Sequence, residues 1–182
     1  MGRNPRQGGR LRTTHRDHRP AMTDIRTDIV DVYIFRRNDG TPELLQLLRA
    51  GDPMGGTWHP LMGHTEPGET AAACALRELH EEVGLSASDP ALLGFWQLEQ
   101  VHPYFIASLD CVVMSPRFCV EVERDWQPKL NSEHTDHRWA AALSAFMWPG
   151  QRAAVAEVLR IAAEPDSTYA RSLRIDPGSV QQ

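Results

Sequence analysis

The chain has 182 residues, of which 41% are hydrophobic and 24% are charged, and its formal net charge at pH 7 is −5. This length and composition indicate one globular domain with a sizeable core. No apolar run approaches eighteen residues, which excludes a membrane-spanning helix. Three cysteines without metal-ligand spacing favour buried thiols in a reducing cytosol.

Positive charge is concentrated at the N-terminus. Residues 1–21 contain six arginines and a single acidic residue, Asp17, so this segment carries +5 and the rest of the chain carries −10. The segment lacks the apolar region of a secretory signal. We therefore expect residues 1–22 to form a basic disordered arm. Basic arms can contact phosphates, but a nucleic-acid partner is not the interpretation that we favour.

The first predicted elements form a β-hairpin. Residues 28–36 are rich in β-branched and aromatic side chains, which is typical of a strand. An Asp-Gly turn signal lies within residues 37–40, and residues 43–49 are predicted to be the partner strand across it. Residues 50–56 are rich in Gly and Pro and are predicted to form a loop.

A helix is predicted over residues 70–83, which contain many alanines and no interior Gly or Pro. Pro67-Gly68 precedes it as a turn, and Gly84 stands where a left-handed C-terminal glycine is expected. One apolar face is formed, at helical spacing, by Ala72, Leu76, Leu79 and Val83.

The rest of the chain is predicted to contain further strands and then a helix. Strands are expected over residues 91–104, 105–114, 118–122 and 133–140. A short helix is expected over residues 142–146 and a longer one over residues 151–163, whereas residues 166–182 are expected to be a loose tail. This order fits a mixed sheet with helices on its faces, which is an α/β (α+β) fold.

Three glutamates of the predicted helix are placed at an energetic cost. Glu78, Glu81 and Glu82 share one face, and each like-charge pair at these spacings destabilises a helix by roughly 0.2–0.5 kcal/mol. They also lie in the last turns, where the helix dipole disfavours anions by roughly 0.3–1 kcal/mol. A divalent cation reverses both effects, since Mg²⁺ and Mn²⁺ prefer hard oxygen ligands. The alternative is a solvated acidic face on an amphipathic helix.

These glutamates belong to a longer pattern in residues 63–85, which read GHTEPGETAAACALRELHEEVGL. Its fixed positions are a glycine, then a glutamate, then Arg-Glu-apolar-x-Glu-Glu-x-Gly-apolar. The pattern resembles the signature box of the Nudix hydrolases at every fixed position. The resemblance implies an α/β/α sandwich with a mixed β-sheet. It also implies an enzyme in which metal-activated water cleaves a phosphoric anhydride bond of a nucleoside diphosphate linked to another group.

The resemblance assigns a role to each charged residue at a fixed position of the box. Glu81 and Glu82 would be metal ligands, and Glu78 would be a ligand or the general base. Arg77 would hold a box carboxylate in place, and Glu69 would be an outer or water-bridged ligand. The expected cofactor is Mg²⁺, with Mn²⁺ as the alternative, because such a cation lowers the pKa of a water and neutralises phosphate charge.

A further glutamate outside the box extends the resemblance. Asn131-Ser132-Glu133-His134, followed by Arg138-Trp139, resembles a strand of the Nudix subgroup that includes dihydroneopterin triphosphate and dATP pyrophosphohydrolases. In that subgroup this glutamate is a metal ligand or base, and the role is carried to Glu133. Asymmetric diadenosine tetraphosphate hydrolases share parts of the pattern. His134 would point away from Glu133 if both are extended, and we expect it to be structural.

Substrate contacts are expected around the loop that precedes the box helix. Arg49 ends a predicted strand and would bind a phosphate, or else form a surface ion pair. Trp58 would stack on a base or a pterin, or else fill the core or its rim. His59 and His64 would contact phosphate, or else be polar loop residues. The backbone carbonyl near Gly63 would join the metal shell.

The sequence therefore predicts a Mg²⁺-dependent Nudix hydrolase domain over residues 23–165. Its expected reaction converts a (deoxy)nucleoside triphosphate or dihydroneopterin triphosphate to the monophosphate and pyrophosphate. Three alternatives stay open: a hydrolase of dinucleoside polyphosphates or ADP-ribose-type diphosphates, a non-catalytic nucleotide-sensing module, and a metal-bound isomerase of the same fold. We expect a cytoplasmic monomer or homodimer whose partner is a small-molecule nucleotide or pterin triphosphate.

Overall fold

The computed structural model describes residues 22–52, 54–141, 146 and 148–180. The predicted basic arm lies outside these residues apart from Met22, and the predicted short helix lies outside them apart from Phe146. In the part of the chain that is described, no helix is long and apolar enough to cross a membrane.

In the described residues, five strands precede the first helix, and five more strands precede the remaining helices. The strands are β1 (Asp24–Arg26), β2 (Ile29–Asn38), β3 (Thr41–Arg49), β4 (Trp58–His59), β5 (Leu61–His64), β6 (Leu92–Gln97), β7 (Tyr104–Ile106), β8 (Cys111–Val113), β9 (Arg117–Val122) and β10 (His134–Ala141). The helices are α1 (Ala71–Val83), α2 (Pro149–Ala163) and α3 (Thr168–Leu173), followed by a 3₁₀ turn (Pro177–Ser179).

A mixed sheet organises the fold. Its strands have the order β10-β3-β2-β9-β6, with β4 paired to β3 and β5 paired to β2. The pairing of β2 with β9 is parallel, whereas β2-β3, β3-β10 and β6-β9 are antiparallel. A smaller sheet has the order β1-β8-β7. The predicted α/β class with a mixed sheet is therefore confirmed.

The β2-β3 hairpin turns where the sequence predicts. Asp39 and Gly40 have φ angles of 49° and 81°, and two consecutive positive values are the geometry of a type I′ turn. Such a turn matches the right-handed twist of the strands that it joins. The register is thereby fixed, with Asn38 opposite Thr41 and Phe35 opposite Leu44.

Each face of the mixed sheet is covered by one long helix. Because successive side chains of a strand point to opposite faces, Val32 packs with Leu79 of α1, whereas Tyr33 packs with Val158 of α2. Both clusters are almost fully buried. Burying one large aliphatic side chain contributes about 1.5–3 kcal/mol relative to exposure, so both helices are held mainly by this packing. The result is the predicted α/β/α sandwich.

The C-terminal residues differ from the prediction of a loose tail. α3 forms there, and the Ser167 hydroxyl caps its first turn by accepting a hydrogen bond from the Ala170 N–H at 3.1 Å. Ala170 and Leu173 are buried in the core on the α2 side. The Ile175 N–H then donates to the Phe95 carbonyl at 2.8 Å. The predicted loose tail is therefore wrong for the described residues up to 180.

Several strand lengths also differ from the prediction. Residues 91–104 and 105–114 were expected to be two strands, but β6 ends at Gln97, and β7 and β8 have only three residues each. No strand was expected between the predicted loop at residues 50–56 and the box helix, yet β4 and β5 form there. These strands have two and four residues, so no alternating pattern is long enough to reveal them.

Candidate active site

The box helix forms as its sequence predicts. The Thr70 hydroxyl accepts a hydrogen bond from the Ala73 N–H at 3.2 Å, which satisfies one of the free donors of the first turn. Gly84 ends the helix with a φ of 74°, the left-handed conformation that favours glycine. Leu79 and Val83 are fully buried against the sheet. This packing fixes the rotation of the helix and hence the direction of its glutamates.

The three glutamates of α1 are not equally accessible. Glu78 and Glu82 are only 8% and 2% exposed, whereas the side chain of Glu81 is 53% exposed. The face predicted to carry all three carboxylates therefore turns two of them into the protein. A hydrated acidic surface does not describe this arrangement, because two of its carboxylates are removed from water.

Glu78 lies directly against β5 at Gly63. A Cβ atom on Gly63 would stand 2.1 Å from Cγ and 2.3 Å from Oε1 of Glu78, distances that no real side chain tolerates. Gly63 pairs with Val30 of β2, so the strand cannot easily move away. The glycine of the box is thus required for the close approach of this carboxyl group, which is a reason that the sequence pattern alone does not reveal.

Arg77 joins the acidic residues into one network. Its Nε and Nη2 donate to Glu69 at 2.9 and 3.0 Å, and Nη2 also donates to the His64 carbonyl at 2.8 Å. Its Nη1 donates to Glu78 at 2.9 Å and to Glu81 at 3.1 Å. The guanidinium group therefore brings together three of the predicted metal ligands and fixes the loop that precedes the helix.

The environment shifts the pKa values of these carboxyl groups in opposite directions. Burial raises the pKa of Glu78 to about 7, and the nearby charges of Glu82 and Glu81 add to this shift against the effect of Arg77. Hydrogen bonds from Arg77 lower the pKa of Glu69. Glu78 is thus the box carboxyl group whose ionised form most needs a further cation.

Glu82 is paired with a histidine that the sequence analysis treated as structural. His134 Nε2 lies 2.8 Å from Glu82 Oε2, and both side chains are almost fully buried. Burial raises the pKa of Glu82, and His134 opposes this effect. The Glu133-His134 pattern in the sequence does not reveal this contact. The contact depends on where the chain between α1 and β10 returns to the helix.

Glu133 and Arg49 form an ion pair at the edge of the site. Arg49 Nη1 donates to Glu133 Oε2 at 2.7 Å, with the two side chains 25% and 47% exposed. Glu133 was expected to lie in a strand, but β10 begins at His134, one residue later. Of the two roles weighed for Arg49, the structure shows the ion pair.

The remaining candidates around the loop have different environments. Trp58 is half-buried, and the Arg138 guanidinium lies 4.2 Å from its ring centre, so one face of the indole is covered. His59 is only 1% exposed, and burial lowers its pKa. This position does not favour the predicted phosphate contact of His59. His64 is exposed, with Nδ1 3.5 Å from Asp28 Oδ2.

The carboxylates suit a divalent cation by chemistry, although each is paired in this structure. Glu69, Glu78 and Glu81 contact Arg77, while Glu82 contacts His134. In the described part of the chain, no group of three or more His, Cys, Asp or Glu residues is arranged to hold a metal ion. Oxygen donors of this kind are those that Mg²⁺ prefers. A cation would therefore have to take the place of some of these ion pairs.

A separate cavity does not belong to this site. It lies between β6 and the C-terminal segment and is lined by residues such as Leu92, Arg174 and Pro177. It contains none of the box carboxylates. The candidate site is therefore defined by the chemistry of its residues rather than by the shape of this cavity.

Known proteins resemble this chain in sequence and in fold. The sequence profile described as "NUDIX domain" matches residues 26–158. An asymmetrical bis(5′-nucleosyl)-tetraphosphatase of Sus scrofa is 30% identical over 120 residues, which is 58% of this chain and 73% of the relative. A similar fold occurs in an Ap4A hydrolase of C. elegans, with a TM-score of 0.63 and 18% identity over 76% of this chain and 98% of that one. The dihydroneopterin triphosphate pyrophosphohydrolase of E. coli gives a TM-score of 0.59 and 23% identity over 70% of this chain and 90% of that one.

Proposed function

The chain belongs to the Nudix family, and from this membership we propose that it is a Mg²⁺-dependent pyrophosphohydrolase of a nucleoside or pterin triphosphate. As a Nudix hydrolase it acts on phosphoric anhydride bonds. The observation that carries the proposal is the contact of the buried Glu78 carboxyl group with Gly63, within the Arg77 network. A buried carboxyl group with a raised pKa beside two further glutamates is typical of a cation site.

The donor set supports one divalent cation held by α1. Glu78, Glu81 and Glu82 would hold it, with Glu133 as a further ligand and Glu69 as an outer or water-bridged ligand. When bound, Mg²⁺ would lower the pKa of a bound water and neutralise charge on the phosphate oxygens. The acidic net charge of the chain is compatible with an anionic substrate for the same reason.

Arg77 can stay in place while the ligands change partners. Its Nε and Nη2 hold Glu69 and the His64 carbonyl, and these contacts do not involve Glu78 or Glu81. Only Nη1 contacts Glu78 and Glu81. Releasing the contacts of this one nitrogen would free both carboxylates, so the network is suited to hold the loop and the helix together in either state.

Glu78 is also the candidate general base. Arg77 binds its Oε1, which leaves Oε2 without a hydrogen bond to other described residues. The Glu78 pKa of about 7 applies to the metal-free protein, and a cation bound beside the carboxylate would lower it, so the base role rests on the position of Oε2 rather than on this value. Glu133 is the alternative base, and its ion pair with Arg49 is at the edge of the site.

The substrate class has two candidates. The Glu-His … Arg-Trp pattern at Glu133-His134 and Arg138-Trp139 favours a triphosphate such as dihydroneopterin triphosphate or dATP. Curated relatives at 30% and 32% identity are asymmetrical bis(5′-nucleosyl)-tetraphosphatases, and this favours a dinucleoside tetraphosphate instead. Both substrates need the same cation site and a basic group for the phosphate chain. Arg49 could supply that group once Glu133 binds the metal.

Product analysis separates these candidates. The purified protein with Mg²⁺ is offered dATP, the other nucleoside triphosphates, dihydroneopterin triphosphate, diadenosine tetraphosphate and ADP-ribose. A monophosphate and pyrophosphate from one triphosphate support the first candidate. Cleavage of only the tetraphosphate, or of only ADP-ribose, keeps the cation site and replaces the substrate class. Nucleotide binding without turnover of any compound would contradict catalysis and indicate a sensing module.

Glu81→Gln is the test variant in the same assay. We expect its rate to fall by about 100-fold or more, because it removes one ligand charge, whereas loss of supporting contacts alone costs about 10–100-fold. Glu66→Gln is the matched control, since Glu66 is an exposed acidic residue of the loop before α1, and its side chain forms no hydrogen bond or ion pair with another described residue. Equal losses in both variants would contradict a specific role for Glu81.

The proposal includes the organisation of the chain. Residues 23–165 would be the catalytic domain, and residues 1–22 a basic arm without a catalytic role. We further propose a cytoplasmic monomer or homodimer. The packing of α3 on the core indicates that the folded unit extends past residue 165, to about the last described residue.

A further inference from the structure

We propose that His134 is a positioning residue that fixes Glu82, so that its second carboxylate oxygen, Oε1, is left as the ligand atom. This inference rests on the proposed cation site. His134 is the first residue of β10, and its Nε2 lies 2.8 Å from Glu82 Oε2. In the described part of the chain, Oε1 of Glu82 accepts no hydrogen bond. His134 thus binds Oε2 of Glu82, while Oε1 is left without a hydrogen bond.

In the described part of the chain, the imidazole of His134 makes one polar contact, its hydrogen bond to Glu82. Its side chain is 0% exposed, and Nδ1 is buried without a partner among the described residues. Leaving a buried polar atom unpaired costs about 1–3 kcal/mol, so an apolar side chain would serve better if the position only filled space. The cost indicates a requirement for the donor at Nε2.

The main chain sets the distance between the two residues. The Asn131 N–H donates to the Glu82 carbonyl at 3.1 Å, so the loop before β10 is attached to the last turn of α1. His134 is paired with Arg49, and the Ala50 N–H donates to the Glu133 carbonyl at 2.8 Å. Both ends of the His134–Glu82 contact are therefore fixed by backbone hydrogen bonds rather than by the side chains themselves.

His59 is a buried neighbour of the His134 ring. The two ring centres are 5.6 Å apart, and His59 is held by its own Nδ1, which lies 2.7 Å from the Pro60 carbonyl oxygen. Within the described part of the chain, no hydrogen bond or ion pair joins His59 to Glu82. His59 and His134 are therefore two neighbouring buried histidines, and of the two only His134 bonds to the Glu82 carboxylate.

Hydrogen bonds to ligating carboxylates are a common means of orienting a metal site, and their loss lowers metal affinity by about 10–100-fold. A role in folding alone predicts something different. It predicts that any substitution of His134 lowers stability in proportion to lost packing, without regard to whether the new side chain can donate a hydrogen bond. The two roles can therefore be separated by comparing a donor and an apolar replacement.

The experiment measures Mn²⁺ affinity by electron paramagnetic resonance, without substrate, together with thermal stability. His134→Gln carries an amide Nε2 that can donate to Glu82, whereas His134→Leu fills similar space without a donor. We expect wild-type affinity for His134→Gln and an affinity lower by about 10–100-fold for His134→Leu. His59→Leu is the matched control, and we expect lower stability with unchanged Mn²⁺ affinity.

The outcomes separate this inference from the proposed function. Equal Mn²⁺ affinity in wild type and His134→Leu would overturn the positioning role and leave the cation site intact. Equal losses in His134→Gln and His134→Leu would also overturn it, because the donor would not matter. A wild-type protein that binds no Mn²⁺ would contradict the cation site itself, and this inference with it.

Discussion

The carboxyl group of Glu78 is stabilised in its neutral form by the surrounding protein. Burial and the charges of Glu82 and Glu81 raise its pKa to about 7 from an ordinary value of 4.5. Because the folded-state pKa is raised, the stabilising contribution is present at low pH and is lost as the pH rises from about 4.5 to about 7. At neutral pH, Glu78 should therefore lower the free energy of unfolding of the metal-free protein.

The first prediction concerns Glu78→Gln in the presence of a chelator. Glutamine keeps the shape and stays neutral, so the variant should gain melting temperature relative to wild type as the pH rises from 5 to 8. The check is a series of thermal melts of both proteins across that range. A difference that does not change with pH would contradict the charge cost assigned to Glu78.

The second prediction compares a buried ion pair with an exposed one. Arg117 and Asp31 are 2% and 3% exposed and lie 3.0 Å apart, whereas Arg124 and Asp39 are 56% and 83% exposed at 2.8 Å. Arg117→Met leaves a buried carboxylate without its partner and should lower the free energy of unfolding by about 3–5 kcal/mol.

Arg124→Met is the control for the second prediction, and it should change the free energy of unfolding by less than about 1 kcal/mol. Urea unfolding of both variants gives the two values. Similar values would show that burial does not decide the contribution of these pairs.

At the scale of elements, the junction of β5 and α1 is the tightest part of the site. The third prediction is that Gly63→Ala displaces Glu78, because a Cβ would lie 2.1 Å from its Cγ. Overpacking of this kind costs about 1–3 kcal/mol, and Mn²⁺ affinity should fall with it. Gly51→Ala is the control, since a Cβ there meets nothing within 4 Å. Unchanged Mn²⁺ affinity in Gly63→Ala would contradict the proposed role of this junction.

The fourth prediction concerns α3. Leu173 is 8% exposed and packs in the core on the α2 side, so Leu173→Ala should lower the free energy of unfolding by about 2–5 kcal/mol. Leu109→Ala is the comparison, because Leu109 is 58% exposed and should contribute little. If urea unfolding shows the same free energy of unfolding for Leu173→Ala and wild type, α3 does not stabilise the fold, and the prediction of a loose tail would be supported.

The sequence predicts those elements whose signals are local. α1 has a helix-forming composition, an N-cap at Thr70 and a C-terminal Gly84, and the β2-β3 hairpin has its Asp-Gly turn. β4, β5 and α3 escaped prediction because two, four and six residues are too few to show a period. Their stability comes from pairing and packing with distant parts of the chain.

The same distinction applies to the candidate site. The box gives the glutamates and Arg77, because one helix and one loop place them together. The contacts of Glu82 with His134 and of Arg49 with Glu133 join residues 52 and 84 positions apart. No local spacing encodes such contacts. His134 in particular was expected to be structural, because strand alternation points it away from Glu133, and alternation does not show that Glu82 lies on that side.

At the scale of the whole molecule, two helices cover a mixed sheet, and one of them presents its charged residues toward a loop and a strand end. The fold fixes buried carboxyl groups against an arginine and a histidine, so each of these groups already has a partner in this structure. The account proposes that a divalent cation replaces part of that pairing when the enzyme acts. In this proposal, function depends on carboxylates that local packing alone would not favour.

The measurement that tests this claim most directly is the rate of anhydride hydrolysis as the Mg²⁺ concentration is raised from zero. It would be made with dihydroneopterin triphosphate, dATP and diadenosine tetraphosphate, for wild type and Glu81→Gln side by side. The account predicts saturable, Mg²⁺-dependent hydrolysis of at least one compound by wild type, and its near loss in the variant. Hydrolysis that is independent of Mg²⁺, or equal in the two proteins, would contradict the account.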